Sequence, residues 1–328
     1  MSAEPVRVGI VGAGRVGIGL AELTARQGAQ VVLFTSLGAR ADELSQTRRC
    51  VEVLPELERL NEGVAVTTDP EALARNGSLV FVTVSREFFP GVFDRVAPFL
   101  DGGHQVVHAV HTLEGERLRR TSLRIAETSA ARQVGALAGP AHVADMLVGR
   151  PNALIVGSAY PAVLSAVVEV LEAPALRVET TADLRGVELA AASSQVLSLA
   201  AGLADGLELG AAFHAIILSR GLLEVARVGA EVGASLETFA GLAGLGRLLD
   251  AVRRGEPNYA LGCTLGRANA RVAVQRAEHP EALGVEVAAT LQLAAASRGM
   301  SLPVVEAVAD VMAGRRAPFE ALQPLYGL

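Results

Sequence analysis

The sequence predicts an α/β protein with a doubly wound parallel sheet in its first half and an all-helical second half. Short β-branched and apolar runs alternate with helical segments up to about residue 180, which is typical of parallel strands covered by helices on both faces. Beyond that point, Ala- and Leu-rich helical periodicity replaces the strand-like runs. The chain of 328 residues is long enough for two domains, which we place at residues 1–180 and 181–328.

The individual elements follow from these runs in chain order. Strands are predicted at Val6–Val11, Ala29–Phe34, Leu79–Val84, Gln105–Val110, Val134–Ala138 and Ala153–Gly157, with weaker candidates at Val64–Thr67 and Leu176–Val178. Helices are predicted at Arg15–Gly28, Phe88–Leu100, Asp183–Asp205, Ala211–Val232, Val285–Arg298 and Pro303–Ala313.

Composition limits the classes of partner. A net charge of −6, without a basic run, disfavours nucleic acid. The two cysteines, Cys50 and Cys263, lie far apart in sequence and suit a reducing compartment. The longest apolar stretch, Leu189–Ala204, contains polar residues and is shorter than the roughly 20 residues that span a bilayer, so we predict a buried helix. With no signal-peptide pattern before the first strand, we expect a cytoplasmic protein without a membrane partner.

The chain contains no lysine, so all 29 basic residues are arginine. Codon preference in a GC-rich genome accounts for such a composition, but its chemical consequence holds in any case. Arginine stays protonated, so it can neither form a Schiff base nor act as a titrating general acid. Any mechanism that needs a lysine is therefore excluded.

Residues 12–17 carry a dinucleotide-binding signature. The first predicted strand leads directly into Gly12-Ala13-Gly14-Arg15-Val16-Gly17, and a predicted helix follows. The three glycines permit, in order, a tight turn, close approach of the backbone to a pyrophosphate, and close packing of helix on strand. The helix N-terminus supplies free N–H groups for the phosphates. We therefore predict a Rossmann domain that binds NAD or NADP through these six residues.

The residues after the second strand favour NADP slightly. An Asp or Glu at this point would bind the ribose 2′-hydroxyl of NAD, but the chain reads Phe34-Thr35-Ser36-Leu37. The hydroxyls of Thr35 and Ser36 occupy the place, and Arg40 follows closely and is suited to a 2′-phosphate. The alternative is that Arg40 is an ordinary solvated helix residue, which leaves NAD open.

Short motifs along nearly the whole chain occur in an order and at a spacing that can be compared with known protein families. They are Val82-Thr83-Val84-Ser85 leading to Phe88 and Phe93, the step Gly139-Pro140, and then Gly186–Leu189, Ala201–Gly206, Ser219–Leu222 and Gly241–Gly246. Together they resemble the NAD(P)-dependent glycerol-3-phosphate dehydrogenase family. The resemblance implies the two-domain fold, a nicotinamide cofactor and a place for Val84 beside that cofactor.

The chain departs from the family pattern where the resemblance implies catalytic residues. The family motif K-G-L-E reads His111-Thr112-Leu113-Glu114 here, and A-x-K-N reads Ala192-Ser193-Ser194-Gln195. The motif G-L-G-D reads Gly244-Leu245-Gly246-Arg247, and V-E-G reads Ala282-Leu283-Gly284. The motif G-P-T-F reads Gly139-Pro140-Ala141-His142. The arginine that grips the substrate phosphate, in an R-N-R motif, corresponds to Tyr259 after Asn258. Ketone reduction needs a group that stabilises the developing alkoxide, and a phosphate needs cationic or N–H donors. Glycerol-3-phosphate oxidation by the family mechanism is therefore not expected.

The replacements are themselves candidate catalytic residues. His111 and His142 each follow a predicted strand, and the carboxyl ends of such strands face the ligand crevice. Both imidazoles are expected beside the nicotinamide, where histidine can donate a proton. Ser194, Gln195 and Tyr259 are expected to add hydrogen-bond donors, and Arg247 to hold an anion such as a carboxylate, since these side chains carry the appropriate groups. The alternative is that all six residues drifted after the loss of function.

No metal site is predicted. His104, His108 and His111 resemble a ligand series, but His104 and His108 bracket a strand and lie about 13 Å apart, which one zinc ion cannot bridge. A site formed by His111, His142 and an unidentified third ligand is the remaining alternative. The other histidines are expected to be structural or exposed, namely His108, His214 and His279.

Two functions remain open on the sequence. The first is an NAD(P)-dependent oxidoreductase that acts on a different small carbonyl, hydroxyl or imine compound. The second is a non-catalytic binding or regulatory protein on the same scaffold. The long Ala-rich helices of the second half further suggest a homodimer, by analogy with similar architectures.

Overall fold

A computed structural model describes residues 5–327, except for the side chain of Arg276. The chain divides into two compact units. The first unit runs up to Val110 and continues over Thr121–Leu184, and the second combines His111–Arg120 with the chain from Arg185 onward. The short segment His111–Arg120 thus belongs with the helices, although strands of the sheet precede and follow it in sequence.

Ten strands are present in the described part of the chain. They are β1 Arg7–Val11, β2 Gln30–Phe34, β3 Val64–Thr67, β4 Leu79–Val82, β5 Gln105–His108, β6 Leu113–Glu114, β7 Arg119–Arg120, β8 Gln133–Ala138, β9 Asn152–Ser158 and β10 Leu176–Thr181. The eight predicted strands are all found, most of them within two residues of the expected bounds. The short antiparallel hairpin β6–β7, which belongs to the second unit, had no signal in the sequence pattern.

The eight long strands form one sheet in the first unit, in the order β10-β9-β8-β5-β4-β1-β2-β3. The predicted parallel sheet is confirmed with one exception, since β8 and β9 pair antiparallel. The only helix between them has five residues, Val143–Leu147, and spans about 7.5 Å. Such a helix is too short to carry the chain back along a strand of about 20 Å, so β9 returns in the opposite direction.

The described part of the first unit contains seven α-helices. They are α1 Arg15–Arg26, α2 Gly38–Thr47, α3 Pro70–Asn76, α4 Phe89–Val96, α5 Thr121–Thr128, α6 Val143–Leu147 and α7 Pro161–Leu171. Apolar side chains of α1 and α7 pack with Ile10 and Leu33 in one core cluster, while Phe89 and Phe93 of α4 pack with Phe34 in another. The sheet is therefore covered by two separate apolar layers, as the doubly wound prediction requires.

The second unit is helical apart from the hairpin. Its helices are α8 Leu184–Gly206, α9 Ala211–Glu231, α10 Leu236–Ala240, α11 Arg247–Arg254, α12 Pro257–Ala268, α13 Gly284–Ala296, α14 Pro303–Met312 and α15 Pro318–Leu322. A π-helical turn, Leu242–Gly246, joins α10 to α11. Helix α8 has the length and hydropathy of a membrane span, but its most apolar window is entirely buried inside the protein. The prediction of a buried helix is confirmed.

Side chains of two helices hold the hairpin. On α8, the Gln195 amide donates to the His111 carbonyl over 3.0 Å, and Glu188 accepts from Arg120 over 3.1 Å. These two residues are seven apart and share one helix face. On α13, Thr290 donates to the Leu113 carbonyl. The carboxylate of Glu188 is 2% exposed and the guanidinium of Arg120 10% exposed, so removing either partner would leave a buried charge unpaired.

A buried carboxylate from α9 caps the N-terminus of α14. Glu224 accepts hydrogen bonds from the backbone N–H groups of Val304, at 3.0 Å to each oxygen, and Val305, at 3.3 Å. Burial raises the pKa of the Glu224 carboxyl to about 7, because loss of hydration outweighs the N–H groups that favour the charge. The folded protein thus holds this proton more tightly than the unfolded chain does.

We expect Glu224 to make the stability of the helical unit depend on pH. Its contribution is fully present below the unfolded pKa of 4.5 and is lost as the pH rises through about 7. Between pH 5 and pH 8, the free energy of unfolding of wild type, measured with urea, should fall by up to about 3 kcal/mol relative to that of Glu224→Gln. The control Glu231→Gln alters an exposed residue of the same helix and should follow wild type. Parallel pH profiles for wild type and Glu224→Gln would contradict this assignment.

Candidate functional site

The turn between β1 and α1 has the backbone geometry that its glycines predict. Gly12 has a φ of +111°, a region that favours glycine, and its N–H donates to the Phe34 carbonyl at 2.9 Å. A Cβ atom at this position would lie 2.8 Å from a methyl group of Val84. The half-buried Val84, which the resemblance assigned to the cofactor site, therefore packs against the turn itself.

The next two glycines of the motif, Gly14 and Gly17, differ in the space available for a side chain. A Cβ at Gly14 would have no atom of the described residues within 4 Å, so space is open in front of the backbone. A Cβ at Gly17 would lie 1.8 Å from the Gly12 carbonyl oxygen and 2.6 Å from the Thr83 hydroxyl. The open cradle at Gly14, together with the free N–H groups of the first turn of α1, fits a dinucleotide pyrophosphate.

The three residues between these glycines differ in exposure. Ala13 is half-buried and packs against the core, while Val16 is 41% exposed beside the open cradle. Arg15, the first residue of α1, pairs with the Glu56 carboxylate at 2.5 Å and also donates to the Val53 carbonyl. The Arg15 guanidinium is the main cause that lowers the pKa of Glu56. Arg15 therefore already has an anionic partner within its own unit.

His142 lies in the first unit, near this ion pair. It is the N-cap residue of α6, and its backbone N–H donates to the Asn152 side chain. Its ring lies 4.0 Å from the Asp145 carboxylate, and its charge contributes to the lowered pKa of Glu56. His142 thus lies near the Asp145 carboxylate, whereas His111, the other predicted histidine, belongs to the second unit.

The predicted polar residues after β2 differ in their exposure and in their hydrogen-bond partners. Thr35 is buried, and its hydroxyl already accepts from the Leu37 N–H at 3.2 Å. Ser36 is exposed. Arg40 lies on α2 and turns towards Cys50, to which it donates over 2.7 Å. The hydroxyl of Ser36 is therefore the accessible polar group directly after this strand.

Among the described residues of the second unit, one pair of the predicted catalytic residues makes a direct contact. His111 is half-buried at the start of the hairpin, and its carbonyl accepts from Gln195. Ser194 is buried, and its hydroxyl donates to the Ala191 carbonyl of its own helix at 2.8 Å. The helix backbone thus already accepts the Ser194 proton, which argues against the predicted role of Ser194 as a donor to a ligand.

Arg247 is held by a carboxylate of its own chain. Its guanidinium forms two parallel hydrogen bonds with Glu256, at 2.9 and 2.5 Å. This fork-to-fork geometry is a strong form of charge-assisted hydrogen bond, and both side chains are about three-quarters buried. A ligand carboxylate at Arg247 would have to share the guanidinium with Glu256.

The Tyr259 hydroxyl lies far from Gln195. It donates to Asp205 at 2.7 Å, and the same carboxylate also contacts the His214 ring at 2.9 Å. This hydrogen bond to Asp205 is the main cause that raises the pKa of Tyr259. Asp205 follows Gln195 by ten residues along α8, a separation of about 15 Å at 1.5 Å per residue. The Tyr259 hydroxyl therefore contacts Asp205 rather than the Gln195 side chain, and its role as a donor to a ligand stays a prediction.

Two residues that sequence reasoning passed over lie close to Gln195. The buried Asn258 accepts from the Gly284 N–H at 2.8 Å, and a Cβ at Gly284 would lie 2.7 Å from the Gln195 carbonyl oxygen. Their only sequence signal is their place in the R-N-R and V-E-G segments of the resemblance. The residues flanking Asn258 are Pro257 and Tyr259, so neither offers a cation.

A metal centre has no counterpart in the described residues. Within residues 5–327, no group of three or more His, Cys, Asp or Glu side chains is arranged to hold a metal ion. His104 instead contacts the Asp101 carboxylate and the Ala74 carbonyl, and His108 is fully buried in β5.

The contrast between Gly14 and Gly17 gives a testable prediction. We expect Gly14→Val to fold normally, since its side chain enters open space, and to abolish dinucleotide binding by filling the cradle. We expect Gly17→Ala to lower the free energy of unfolding by at least about 2 kcal/mol, because its methyl group would overlap a backbone oxygen. Calorimetric titration with NADH and thermal unfolding measure the two effects. Unimpaired NADH binding by Gly14→Val would contradict this interpretation of the loop.

Comparisons with known proteins agree with this geometry. Residues 7–163 match the family model of the N-terminal domain of NAD-dependent glycerol-3-phosphate dehydrogenase, and residues 183–323 match that of the C-terminal domain. A glycerol-3-phosphate dehydrogenase of Geobacter sulfurreducens is 32% identical over 310 residues, covering 93% of this chain and 92% of that protein. One from a Bradyrhizobium species is 33% identical over 308 residues, with 94% and 92% covered. The crystal structure of the Coxiella burnetii enzyme has the same fold, with a TM-score of 0.87 at 24% identity and 99% of both chains covered. The chain therefore belongs to the NAD-dependent glycerol-3-phosphate dehydrogenase family.

Proposed function

We propose that the protein is an NAD(P)-dependent oxidoreductase whose substrate is a small carbonyl, hydroxyl or imine compound other than glycerol-3-phosphate. The observation that carries this proposal combines two features of the chain. The glycine loop has a complete cradle for a dinucleotide, whereas the positions of both family lysines hold His111 and Ser194 in a chain without lysine. These two features support retained cofactor binding together with altered acid chemistry.

The cationic groups of the helical unit argue against a phosphate-bearing substrate. A phosphate dianion is recognised by cationic or forked donors that are free to bind it. Arg247 is bound to Glu256, and the position expected to grip the phosphate is Tyr259, which donates to Asp205. An uncharged carbonyl or imine compound suits this site better than a phosphate or a carboxylate does, because it does not compete with Glu256 for the Arg247 guanidinium.

The chemistry can be assigned to particular residues. A reduced nicotinamide held by the glycine loop would supply a hydride to the carbonyl or imine carbon. His111 is the residue that we assign to donate the proton that the oxygen or nitrogen needs, because histidine can act as a general acid and arginine cannot. Gln195 fixes the His111 backbone through its amide. Ser194 takes no part, since its proton is held by the Ala191 carbonyl.

A second function is favoured by a separate observation. Leu283 replaces a carboxylate that the family resemblance puts near the cofactor, in addition to the changes at the two lysine positions. A non-catalytic protein that retains nucleotide binding would carry all of these changes together. Turnover with any one substrate decides against this alternative.

We also propose a cytoplasmic homodimer. The helical unit exposes apolar side chains of the kind that association would cover, namely Leu223, Leu236, Leu249 and Leu293, each about half exposed. The family fold offers the analogy for a dimer. Sedimentation equilibrium measures the mass in solution.

The proposed function is tested by a screen of carbonyl and imine compounds with NADH and NADPH. We expect oxidation of the reduced cofactor with at least one neutral compound and none with dihydroxyacetone phosphate. His111→Ala should lower kcat by about 100-fold without weakening cofactor binding, since a positioned acid contributes factors of this order. His104→Ala, which removes a histidine held by Asp101, should retain full activity.

Two results would count against the proposal. Unchanged turnover in His111→Ala would remove His111 as the proton donor. The absence of turnover across the whole screen, with cofactor binding retained, would favour the non-catalytic alternative.

A further inference from the structure

Arg40 is the residue on which the sequence-based preference for NADP rested, and its contacts lead to a different conclusion. Its guanidinium donates to the Cys50 sulfur over 2.7 Å. The same guanidinium lies 3.6 Å from the Glu43 carboxylate and 3.9 Å from the Glu52 carboxylate. All four residues belong to the first unit, and we refer to them together as the Arg40 cluster.

We infer that the Arg40 cluster makes the protein select NADH over NADPH, by holding Arg40 on its own carboxylates and presenting excess negative charge to a 2′-phosphate. This inference rests on the proposed function, because it concerns the cofactor site of that oxidoreductase. It names the residues that determine which cofactor is accepted.

The cluster holds Arg40 through a chain of contacts. Arg40 donates to the Cys50 sulfur. The Cys50 thiol in turn donates a weak hydrogen bond to the Glu43 carboxylate, over 3.6 Å. Cys50 is only 3% exposed. Burial is the main cause that raises the pKa of the Cys50 thiol, so the thiol keeps the proton that it shares with Glu43. Moving Arg40 to a ligand would therefore break its hydrogen bond to a buried sulfur and its contacts with Glu43 and Glu52.

The charges of the cluster do not favour a phosphate. One guanidinium is balanced against two carboxylates, which leaves a net charge of about −1. Glu52 is the most exposed member, with 87% of its side chain accessible, whereas the side chain of Arg40 is only 19% accessible. A 2′-phosphate carries nearly two negative charges and would meet the carboxylates more readily than the guanidinium.

A ribose 2′-hydroxyl meets no such obstacle. It is uncharged, so the negative cluster does not repel it. The exposed Ser36 directly after β2 offers a hydroxyl that can both donate and accept. The neighbouring Thr35 hydroxyl already accepts from the Leu37 N–H. The end of β2 therefore suits the unphosphorylated ribose of NADH.

The test is calorimetric titration of the full-length protein with NADH and with NADPH. We expect wild type to bind NADH at least about tenfold more tightly than NADPH, a factor of the size that one unfavourable ionic interaction produces. Arg40→Ala should leave the affinity for NADH within twofold of wild type and should not weaken NADPH binding. The double variant Glu43→Gln/Glu52→Gln should bind NADPH about tenfold more tightly than wild type, because Arg40 is then released.

Two further variants keep the result specific. Glu58→Gln/Glu71→Gln makes the same change in net charge at two exposed residues away from the cluster and should leave both affinities unchanged. Adding Arg40→Gln to the double variant should abolish the gain in NADPH binding.

Two outcomes would overturn the inference, and they can be told apart. If wild type preferred NADPH and Arg40→Ala lost that preference, this inference alone would be overturned. Arg40 would then be a ligand of the 2′-phosphate. Failure of wild type to bind either dinucleotide would overturn the inference together with the proposed function.

Discussion

Arginine is the only strongly basic side chain in this protein, and at the candidate sites each arginine is paired with a carboxylate of the same chain. Arg15 binds Glu56, Arg40 lies against Glu43 and Glu52, Arg120 binds Glu188, and Arg247 binds Glu256. Because a guanidinium cannot shed its proton, a partly buried arginine is tolerated only when an anion or several acceptors satisfy it. These pairs fix loops and helix ends, and they also withdraw positive charge from the ligands that such sites would otherwise attract.

This constraint separates the two units in functional terms. In the first unit, dinucleotide recognition depends on backbone geometry, on the turn at Gly12 and the open space at Gly14, and so it survives the loss of free cations. In the second unit, phosphate recognition depends on side-chain charge, and that charge is neutralised by Glu256 or absent at Tyr259. The proposed change of substrate and the retained dinucleotide loop are thus explained by the same chemistry.

Features that depend on local sequence patterns could be predicted from the sequence. The strands, the long helices and the glycine loop were confirmed, because hydrophobic periodicity and glycine spacing determine them within a few residues. The antiparallel β9, the hairpin β6–β7 and the partners of Arg40, Arg247 and Tyr259 were not predictable in this way. Each depends on residues brought together by the tertiary fold, such as Cys50 with Arg40, or on the length of a connection such as α6. Ser194 shows the same limit, since its place in a motif gave no sign that its own helix accepts its proton.

The proposed change of substrate depends on the two described positions discussed above, where Arg247 is paired with Glu256 and Tyr259 carries no charge that could bind a phosphate. The most direct measurement is calorimetric titration of the NADH-saturated protein with glycerol-3-phosphate, compared with glycerol, at low and at high salt. We expect no binding of glycerol-3-phosphate at millimolar concentrations and no difference from glycerol at either salt concentration. Binding in the micromolar range that weakens with added salt would reveal a free cationic site and would show that the substrate phosphate is still recognised.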